Sequence, residues 1–584
     1  MARALKPLRL AAFAASIVPA MLARQLLGLL IVSGVASSPA HAQCPPREIV
    51  KLTSSDAAHS QIFGWALALD GDTFVAGAFH DDEAGANAGA AYVFTRNLGA
   101  ANAWGQVKKL FASDPQSDSD FGRCAALDGD TALIGSTRHD GPAPDAGAAY
   151  VFERNFGGAN QWGEVKLLLA SDAAMSTDFG VSVAISGDTA AVGAGNGNYG
   201  GAVYVFERNS GGPQAWGEVK KLAPTDTVPV ERFGWSVAID RDTLLVGARV
   251  DDGHGSIYFF ERNAGGANNW GQVRKLTASD IQNGDEFGYS VAISGDTALA
   301  GSPFDDDNGP QSGSAYVLAR NLGGANNWGE VRKLKQSSGV PNDHPWFGID
   351  VELDGDTALI SAPQSSEHGL QTGSAFVYER NQGAAGAWGL VTKLMASDAT
   401  MGDDFGGAIA LSGETLVCGE PYDHVGSTQP GSVVVFDGPI APAPYTYCTA
   451  ATTTHGCAAT LASSGVASAS ATSGFAIELT HAEGRRTSAL YYGIGGPAST
   501  PWGGGFMCIA GARQRCGQLD SGGHEGQCDG AVSVDWRAFL ANNPAALGNP
   551  LTAGLEVWAQ ALVRDPQSAT TTSSSNALAF TVCL

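Results

Sequence analysis

The stretch DEFGYSVAISGDTALAGSPFDDDNG, residues 285–309, contains two short apolar-rich runs joined by a Gly-Asp turn. Alternation of Phe287, Tyr289, Val291 and Ile293 predicts a β-strand with one buried face. The second run, TALAGS, predicts a neighbouring strand, because the intervening turn is short enough for a hairpin. The stretch therefore predicts half of a small antiparallel sheet, followed by an acidic loop.

The same pattern recurs seven times along the chain. Each copy begins with a Phe-Gly pair, and successive pairs are 54 to 60 residues apart. The phenylalanines of these pairs are Phe63, Phe121, Phe179, Phe233, Phe287, Phe347 and Phe405. Each copy also has a third run such as SAYVLAR and a fourth such as WGEVRKL, so each predicts four strands. Because so small a sheet cannot cover its own faces, seven copies predict an all-β fold in which seven sheets pack radially as a β-propeller.

The two ends of the repeat array predict how the ring closes. Residues 47–56, REIVKLTSSD, match a fourth run that precedes the first Phe-Gly pair. After the seventh pair, residues 431–438, GSVVVFDG, form a third run with no fourth run behind it. We therefore expect residues 47–53 to pair with residues 432–438 as the outermost strand of the seventh blade, which leaves only short, protected edges.

The N-terminal residues have the pattern of a secretory signal peptide. Residues 1–42 hold four cations and no acid, and they end in the small-x-small pattern SPAHA. We predict cleavage near Ala42, with Met21 as an alternative start to Met1. Cleavage changes the net charge from −24 to −28, which disfavours nucleic acid as a partner. No later apolar run approaches 18 residues, so we expect no transmembrane segment after the signal peptide and a secreted, extracellular or cell-surface protein.

A change of composition divides the mature chain. We predict a propeller over residues 43–438, a Pro-rich linker over 439–447 and a Cys-rich module over 448–584. Alternating apolar segments and a short helical pattern predict a disulfide-stapled, β-sandwich-like fold for this module. Its six cysteines predict three disulfides of open connectivity: Cys448, Cys457, Cys508, Cys516, Cys528 and Cys583.

Segments such as FGVSVAISGDTAAVGA and GAAYVFERN resemble FG-GAP repeats, the family of the integrin α N-terminal head that also occurs in many exported bacterial proteins. The resemblance covers about residues 47–437. It implies a seven-bladed propeller and, by analogy, extracellular adhesion or recognition. Calcium-binding repeats of this family carry an Asp-x-Asp-x-Asp-Gly loop between the first and second strands. Here that position holds only turns such as LDGDT and ISGDT, so we expect their aspartates to bond local backbone amides: Asp72, Asp130, Asp188, Asp242, Asp296 and Asp356.

Acidic residues concentrate in the loops from second to third strand and from fourth to first strand. These loops, for example residues 303–313 and 277–286, emerge on one side of a propeller, here called the loop face. Asp305, Asp306 and Asp307 form its densest cluster and are the candidate calcium ligands, with an expected affinity on the order of 0.1 to 1 mM. A solvated acidic face and a cationic protein partner are the alternatives.

The tryptophans divide into two sets. Six precede a glycine at one fixed position of the repeat, which predicts packing between blades: Trp104, Trp162, Trp216, Trp270, Trp328 and Trp388. Trp65, Trp235 and Trp346 adjoin Phe-Gly pairs irregularly and are candidates for ligand contact.

No recognised catalytic motif occurs in the chain, which has neither Gly-x-Ser-x-Gly nor His-Glu-x-x-His. We therefore expect no enzymatic activity. The sequence favours a binding or adhesion protein with an extracellular protein or glycan ligand. The alternative is a secreted enzyme that acts on extracellular polysaccharide.

Overall fold

The computed structural model describes residues 46–57, 60–195, 200–224, 232–336, 343–367, 369–382, 386–424, 428–437, 445–465, 467–468, 472–502, 505–551, 555–567 and 572–582. The predicted signal peptide and Cys44 lie outside these residues. Strands dominate the described chain, and they group into seven four-stranded sheets followed by a separate set of sheets after residue 445.

Six of the four-stranded sheets are formed by consecutive strands, and each is one blade. Blade 1 contains β2 (Ala66–Asp70), β3 (Thr73–Ala78), β4 (Ala90–Thr95) and β5 (Gly105–Leu110). Blade 2 contains β6 (Phe121–Asp128), β7 (Thr131–Ser136), β8 (Ala148–Glu153) and β9 (Gly163–Leu168). Blade 3 contains β10 (Phe179–Ser186), β11 (Thr189–Ala194), β12 (Ala202–Glu207) and β13 (Gly217–Leu222). Blade 4 contains β14 (Phe233–Asp240), β15 (Thr243–Ala248), β16 (Ser256–Glu261) and β17 (Gly271–Leu276). Blade 5 contains β18 (Val291–Ser294), β19 (Thr297–Ser302), β20 (Ser314–Ala319) and β21 (Gly329–Leu334). Blade 6 contains β22 (Val351–Asp354), β23 (Thr357–Ser361), β24 (Ala375–Glu379) and β25 (Gly389–Leu394).

The seventh blade joins the two ends of the array. It contains β26 (Ile409–Ser412), β27 (Thr415–Glu420), β28 (Ser432–Asp437) and, outermost, β1 (Arg47–Leu52). The antiparallel pairing of β1 with β28 runs from Arg47 opposite Asp437 to Leu52 opposite Val433. The predicted ring closure is therefore confirmed, and the chain forms a seven-bladed propeller.

The Phe-Gly pairs recur because both residues are needed where neighbouring blades meet. All seven phenylalanine side chains are buried, and five pack edge-on against a tyrosine of the third strand, as Phe63 does against Tyr92. Gly122 has a φ of 91°, and a Cβ on it would lie 2.3 Å from the carbonyl oxygen of Ala90 in the preceding blade. Only glycine combines that backbone conformation with so close an approach.

Seven hydrogen bonds link the turns between first and second strands around the opposite side of the ring, here called the turn face, which carries turns such as Gly295-Asp296. In each bond a backbone N–H of the turn donates to the side-chain oxygen of the Asp or Ser that ends the first strand of the preceding blade. The donors and acceptors are Gly71 to Ser412, Gly129 to Asp70, Gly187 to Asp128, Arg241 to Ser186, Gly295 to Asp240, Gly355 to Ser294 and Gly413 to Asp354. The side chains that accept hydrogen bonds from backbone amides are therefore not the predicted aspartates but the residues two positions before them.

The predicted turn aspartates instead pair with arginines. Arg208 shows the arrangement: its Nε lies 2.6 Å from Asp188, and its guanidinium also pairs with Glu153 of the preceding blade. It lies 4.7 Å over the ring of Trp216, which is buried, as are the other five tryptophans of its set. Each Arg–Trp–Asp group therefore fastens one blade to the next, and the structural interpretation of these tryptophans agrees with the structure.

The C-terminal module contains two larger sheets that share one core and a third sheet of two strands. The larger has the order β29 (Tyr445–Tyr447), β38 (Thr572–Thr581), β37 (Glu556–Arg564), β32 (Thr487–Gly493) and β35 (Arg513–Asp520); the smaller has β30 (Thr460–Gly465), β31 (Phe475–Ala482) and β36 (Gly530–Asp535); and β33 (Pro497–Trp502) pairs with β34 (Gly505–Ile509). Phe475 and Ile477 of the smaller sheet pack with Tyr492 and Phe580 of the larger one, and with helix α1 (Trp536–Asn542). Since β29 pairs with β38, the module starts three residues before its predicted boundary, inside the predicted linker.

Two of the predicted disulfides are present. Cys448 is bonded to Cys508 and Cys457 to Cys528. Cys516 was also predicted to be bonded, but it carries a free thiol whose pKa is raised by burial to about 12. Cys583 lies outside the described residues. Because Cys516 is free, the prediction that these six cysteines form three disulfides with one another is wrong.

Candidate ligand-binding site

The acidic cluster in the fifth blade surrounds a lysine. Lys333 of β21 places its Nζ 2.8 Å from Asp280, 2.5 Å from Asp305 and 2.7 Å from Asp307. The hydroxyl of Tyr316 donates to the same Asp280 and Asp305, at 3.0 and 2.9 Å. The buried carboxylate of Asp305 is therefore already paired with a cation and hydrogen-bonded, as is the more exposed Asp280.

The same arrangement recurs around the loop face. The fourth-strand cations and their acids are Lys109 with Asp56, Asp81 and Glu83; Lys221 with Asp172; Lys275 with Asp251 and Asp252; Lys393 with Glu367; and Lys51 with Asp398, Glu420 and Asp423. Sequence reasoning missed this compensation because it considered only the charges within the loops. The lysines belong to the last residues of the outer strands, which end on the same face.

The three candidate calcium ligands do not act as one set. Asp305 and Asp307 converge on Lys333, and bonds from Lys333 and Lys335 lower the pKa of Asp307 to about 2. Asp306 instead accepts a hydrogen bond from the backbone amide of Gln311 at 2.6 Å. Among the described residues, no group of three or more His, Cys, Asp or Glu side chains is arranged to hold a metal. Calcium binding here stays a prediction, and the ion would have to compete with the Lys333 ammonium group.

A cavity of about 450 Å³ opens at the centre of the loop face, where the first strands of the seven blades meet. We call it the central pocket. Its lining includes Trp65, Arg123, Trp235, Tyr289, Trp346, Asp350, Glu352, Asp404 and Tyr422. The three tryptophans predicted as candidates for ligand contact thus lie in one pocket.

The residues that follow the Phe-Gly pairs form a ring at this pocket, and two of the residues that precede the pairs, Trp346 and Asp404, line it as well. The seven residues after the pairs all line it: Trp65, Arg123, Val181, Trp235, Tyr289, Ile349 and Gly407. The seven residues before the pairs all have φ between 53° and 59°: Ile62, Asp120, Asp178, Arg232, Glu286, Trp346 and Asp404. Such left-handed backbone is uncommon outside glycine, and strained residues of this kind cluster at ligand sites.

Three aromatic rings of the pocket lining, those of Trp235, Tyr289 and Trp346, belong to an arc whose fourth ring, Phe304, is not part of the lining. Trp235, Tyr289, Phe304 and Trp346 follow one another with ring centroids 5.7, 6.1 and 5.8 Å apart, each pair edge to face. We call these four residues the aromatic arc. The indole Nε1 of Trp346 donates to Gln311 at 3.2 Å, which fixes the orientation of that ring. Such contacts hold the rings rigid, which lowers the entropic cost of using them to bind.

Two arginines stack on the aromatic rings of the pocket. Arg249 lies 4.0 Å over Trp235 and is held there by an ion pair with Glu286. Arg123 lies 5.6 Å over Trp65 and 5.1 Å over Phe79. Its guanidinium makes no hydrogen bond or ion pair within the described part of the chain, so its donors remain available.

Three carboxyl groups line the same pocket, and burial raises the pKa of each. Asp350 has a pKa of about 6, although it accepts backbone hydrogen bonds from Val351 and Ile409, both at 3.0 Å. Burial also raises the pKa of Asp404 to about 7. The pKa of Glu352 is raised well above its ordinary value by burial and then by the charge of Asp350. Burial disfavours the charged form of a carboxyl group, so each of the three keeps its proton to a higher pH than an exposed carboxyl group does.

Sequence reasoning did not identify Arg123, Asp350 or Glu352 as site residues. A usable signal was present in the repeats, because the residue after each Phe-Gly pair varies widely while its neighbours recur. A position that tolerates Trp, Arg, Val and Gly in one scaffold is not fixed by packing and is free to serve recognition.

Comparison with known proteins identifies the repeats. The FG-GAP repeat model matches residues 46–94, 104–152, 162–206, 216–260, 270–318, 328–378 and 388–436, more than half of the chain. The chain therefore belongs to the FG-GAP repeat family. Each match begins near the outermost strand of one blade and ends in the third strand of the next, which is the arrangement that β1 completes.

Two further comparisons add little. The comparison with curated proteins found no match. Among solved structures, the crystal structure of Saccharomyces cerevisiae Sqt1 is similar with a TM-score of 0.39 and 10% sequence identity, and the match covers 67% of this chain and 99% of that one. No inference about function follows from a similarity of that extent. Within the described residues, no helix is long and apolar enough to cross a lipid bilayer.

Proposed function

We propose that the protein is an extracellular binding protein, secreted or attached to the cell surface, whose propeller holds its ligand in the central pocket. The two disulfides of the C-terminal module support an oxidising, extracellular location. Membership of the FG-GAP repeat family supports a binding or adhesion role.

The central pocket is the observation that carries this proposal. It combines partly exposed aromatic rings, the unpaired donors of Arg123 and three carboxyl groups in a cavity of about 450 Å³. Cavities of roughly 300 to 1,000 Å³ with a few convergent polar groups are the usual form of small-ligand sites. By contrast, the acids of the loop face are largely paired with lysines, so that face offers fewer free groups to a ligand.

A second candidate is a secreted enzyme that cleaves polysaccharide. Asp350, Glu352 and Asp404 favour it, since carboxyl groups with raised pKa values serve as general acids in glycoside hydrolysis. We favour binding because the two backbone hydrogen bonds to Asp350 give that carboxylate a structural role between blades 6 and 7.

A ligand screen separates these candidates. Full-length protein is tested on arrays of peptides, extracellular proteins and oligosaccharides, in parallel with Tyr289→Val and Trp346→Ile. Both replacements occur naturally at the same repeat positions, as Val181 and Ile62, so the blades should still fold. The control is Phe156→Ala, whose exposed ring lies in a connection on the turn face.

The proposal requires at least one ligand class whose binding is lost in both pocket variants and kept in the control. Binding that is equal in all four proteins would refute it. Release of new reducing ends from a bound oligosaccharide would favour the enzyme instead.

A further inference from the structure

We infer that the central pocket binds an uncharged saccharide, with a sugar ring lying against the aromatic arc and its hydroxyl groups bonded to Arg123 and Glu352. This inference rests on the proposed function, because it names the ligand class of that same pocket.

The first argument comes from comparison of the blades with one another. At the position after the Phe-Gly pair, blades 3, 6 and 7 carry Val181, Ile349 and Gly407, so the fold does not require an aromatic residue there. The large rings occur at Trp65 in blade 1 and at Trp235 and Tyr289 in blades 4 and 5. Trp235 and Tyr289 stand in adjacent blades and form one aromatic wall with Trp346 of blade 6, whereas Trp65 stands apart in blade 1, beside the blade that carries Gly407.

The second argument concerns the surface of that wall. Tyr289 and Trp346 are only partly buried and both line the cavity, so part of each ring is open to it, although Arg249 lies 5.2 Å over one face of the Tyr289 ring. The face of an aromatic ring carries partial negative charge, and the axial C–H groups of a sugar ring carry partial positive charge. A flat sugar ring can therefore cover such a surface without burying its hydroxyl groups.

The third argument is that the pocket offers hydrogen-bonding groups of both kinds. Arg123 supplies donors that are unused within the described residues. Glu352 likewise makes no hydrogen bond or ion pair within the described residues, although it lines the central pocket together with Asp350. Unpaired polar groups in a confined space cost free energy unless a ligand satisfies them. Hydroxyl groups both donate and accept, so a saccharide can satisfy the two together.

Charged ligands fit this pocket less well. An anion would meet Arg123 but would also approach Asp350, Glu352 and Asp404. A cation would meet those carboxyl groups but would be repelled by Arg123 and by Arg249, which already covers a face of Trp235. Only an uncharged polar ligand with an apolar face uses the rings, the arginine and the carboxyl groups at once.

The experiment measures the binding of three kinds of probe to full-length protein by calorimetry. The probes are neutral hexose oligomers (glucan, mannan and galactan fragments), uronate oligomers and an oligolysine peptide. Each is tested on the wild type, Tyr289→Val, Trp346→Ile, Arg123→Val and the Phe156→Ala control. Arg123→Val follows the same logic as the other variants, since Val181 stands at the matching position of blade 3.

We expect at least one neutral oligomer to bind, with affinity reduced roughly tenfold or more in each pocket variant and unchanged in the control. Arg123→Val also separates a sugar from a cation, because loss of the arginine should weaken sugar binding and strengthen oligolysine binding. Pocket-dependent binding of only the peptide or only the uronate would overturn the inference that the ligand is an uncharged saccharide and would leave the proposed function standing. Absence of any pocket-dependent ligand among these probes and the arrays above would overturn both.

Discussion

The ammonium group of Lys333 lies 2.5 Å from a carboxylate oxygen of Asp305, which is almost fully buried. Asp280 and Asp307 complete the cluster around the same nitrogen. The most acidic loop in the sequence is thus organised around a lysine from the outer strand, and this relation governs what a metal ion can do there.

Replacement of Lys333 by Met should destabilise the propeller by about 2 to 4 kcal/mol, because it leaves the buried carboxylate of Asp305 without its cation. In this variant 10 mM calcium should raise the melting temperature more than in the wild type, since the ion no longer competes with an ammonium group. Lys335→Met is the control, because Lys335 is more exposed and pairs with Asp307 alone. An equal effect of calcium on all three proteins would place any bound ion elsewhere.

Arg208 should contribute strongly to the contact between blades 2 and 3. Its guanidinium joins Glu153, Asp188 and Thr131, and stacks on Trp216. Arg208→Met should lower the free energy of unfolding by about 2 to 4 kcal/mol, and Arg208→Lys should restore little, because an ammonium group lacks the planar fork. Urea unfolding followed by tryptophan fluorescence measures both. Arg274→Met is the control, because Arg274 is exposed, and it should change the free energy of unfolding by less than about 0.5 kcal/mol. A loss in that control as large as the loss in Arg208→Met would mean that the contacts of Arg208 do not account for its effect.

Much of the propeller was predictable because the information is repeated. The Phe-Gly pairs, the alternation of the first strands and the missing fourth run after residue 438 together determine blade number and closure. The role of the turn aspartates was predicted less well. Asp188 and its equivalents bind arginines that lie about 20 residues away in sequence, and no local turn pattern indicates such a partner.

The site was predictable only in part. Trp65, Trp235 and Trp346 were identified because they depart from the regular repeat. Asp350 and Glu352 were missed because a strand pattern does not show that its polar face lines the central pocket rather than the outer surface. That fact depends on all seven blades at once, so it follows from ring closure and not from any single repeat.

The disulfides should stabilise the C-terminal module and leave the propeller unaffected. Replacement of Cys457 and Cys528 by Ala should cost about 2 to 4 kcal/mol, since the bond closes a loop between residues 71 apart in sequence. Scanning calorimetry should then show one transition moved to lower temperature and a second, larger transition unchanged. Cys516→Ala is the control, because that thiol is free. A common shift of both transitions would mean that the two parts unfold as one unit.

Glu352 should make the stability of the propeller depend on pH. Because its folded pKa is raised, the folded state binds the proton more tightly than the unfolded state, so the free energy of unfolding falls as pH rises above the unfolded value near 4.3. Glu352→Gln removes this titration and no described hydrogen bond. The variant should therefore be more stable than the wild type at pH 8 and nearly equal to it at pH 4.

Urea unfolding at pH 4, 6 and 8 tests this, with tryptophan fluorescence as the signal because nine of the twelve tryptophans lie in the propeller. Glu414→Gln is the matched control, since that carboxyl group is exposed in the turn between β26 and β27. It should leave stability within about 0.5 kcal/mol at every pH. A gain for Glu352→Gln that is the same at pH 4 and pH 8 would show that the side chain acts through packing. A loss at pH 8 would show that its carboxylate has a stabilising partner in the central pocket, and Glu352 would then no longer be free to accept a hydrogen bond from a ligand.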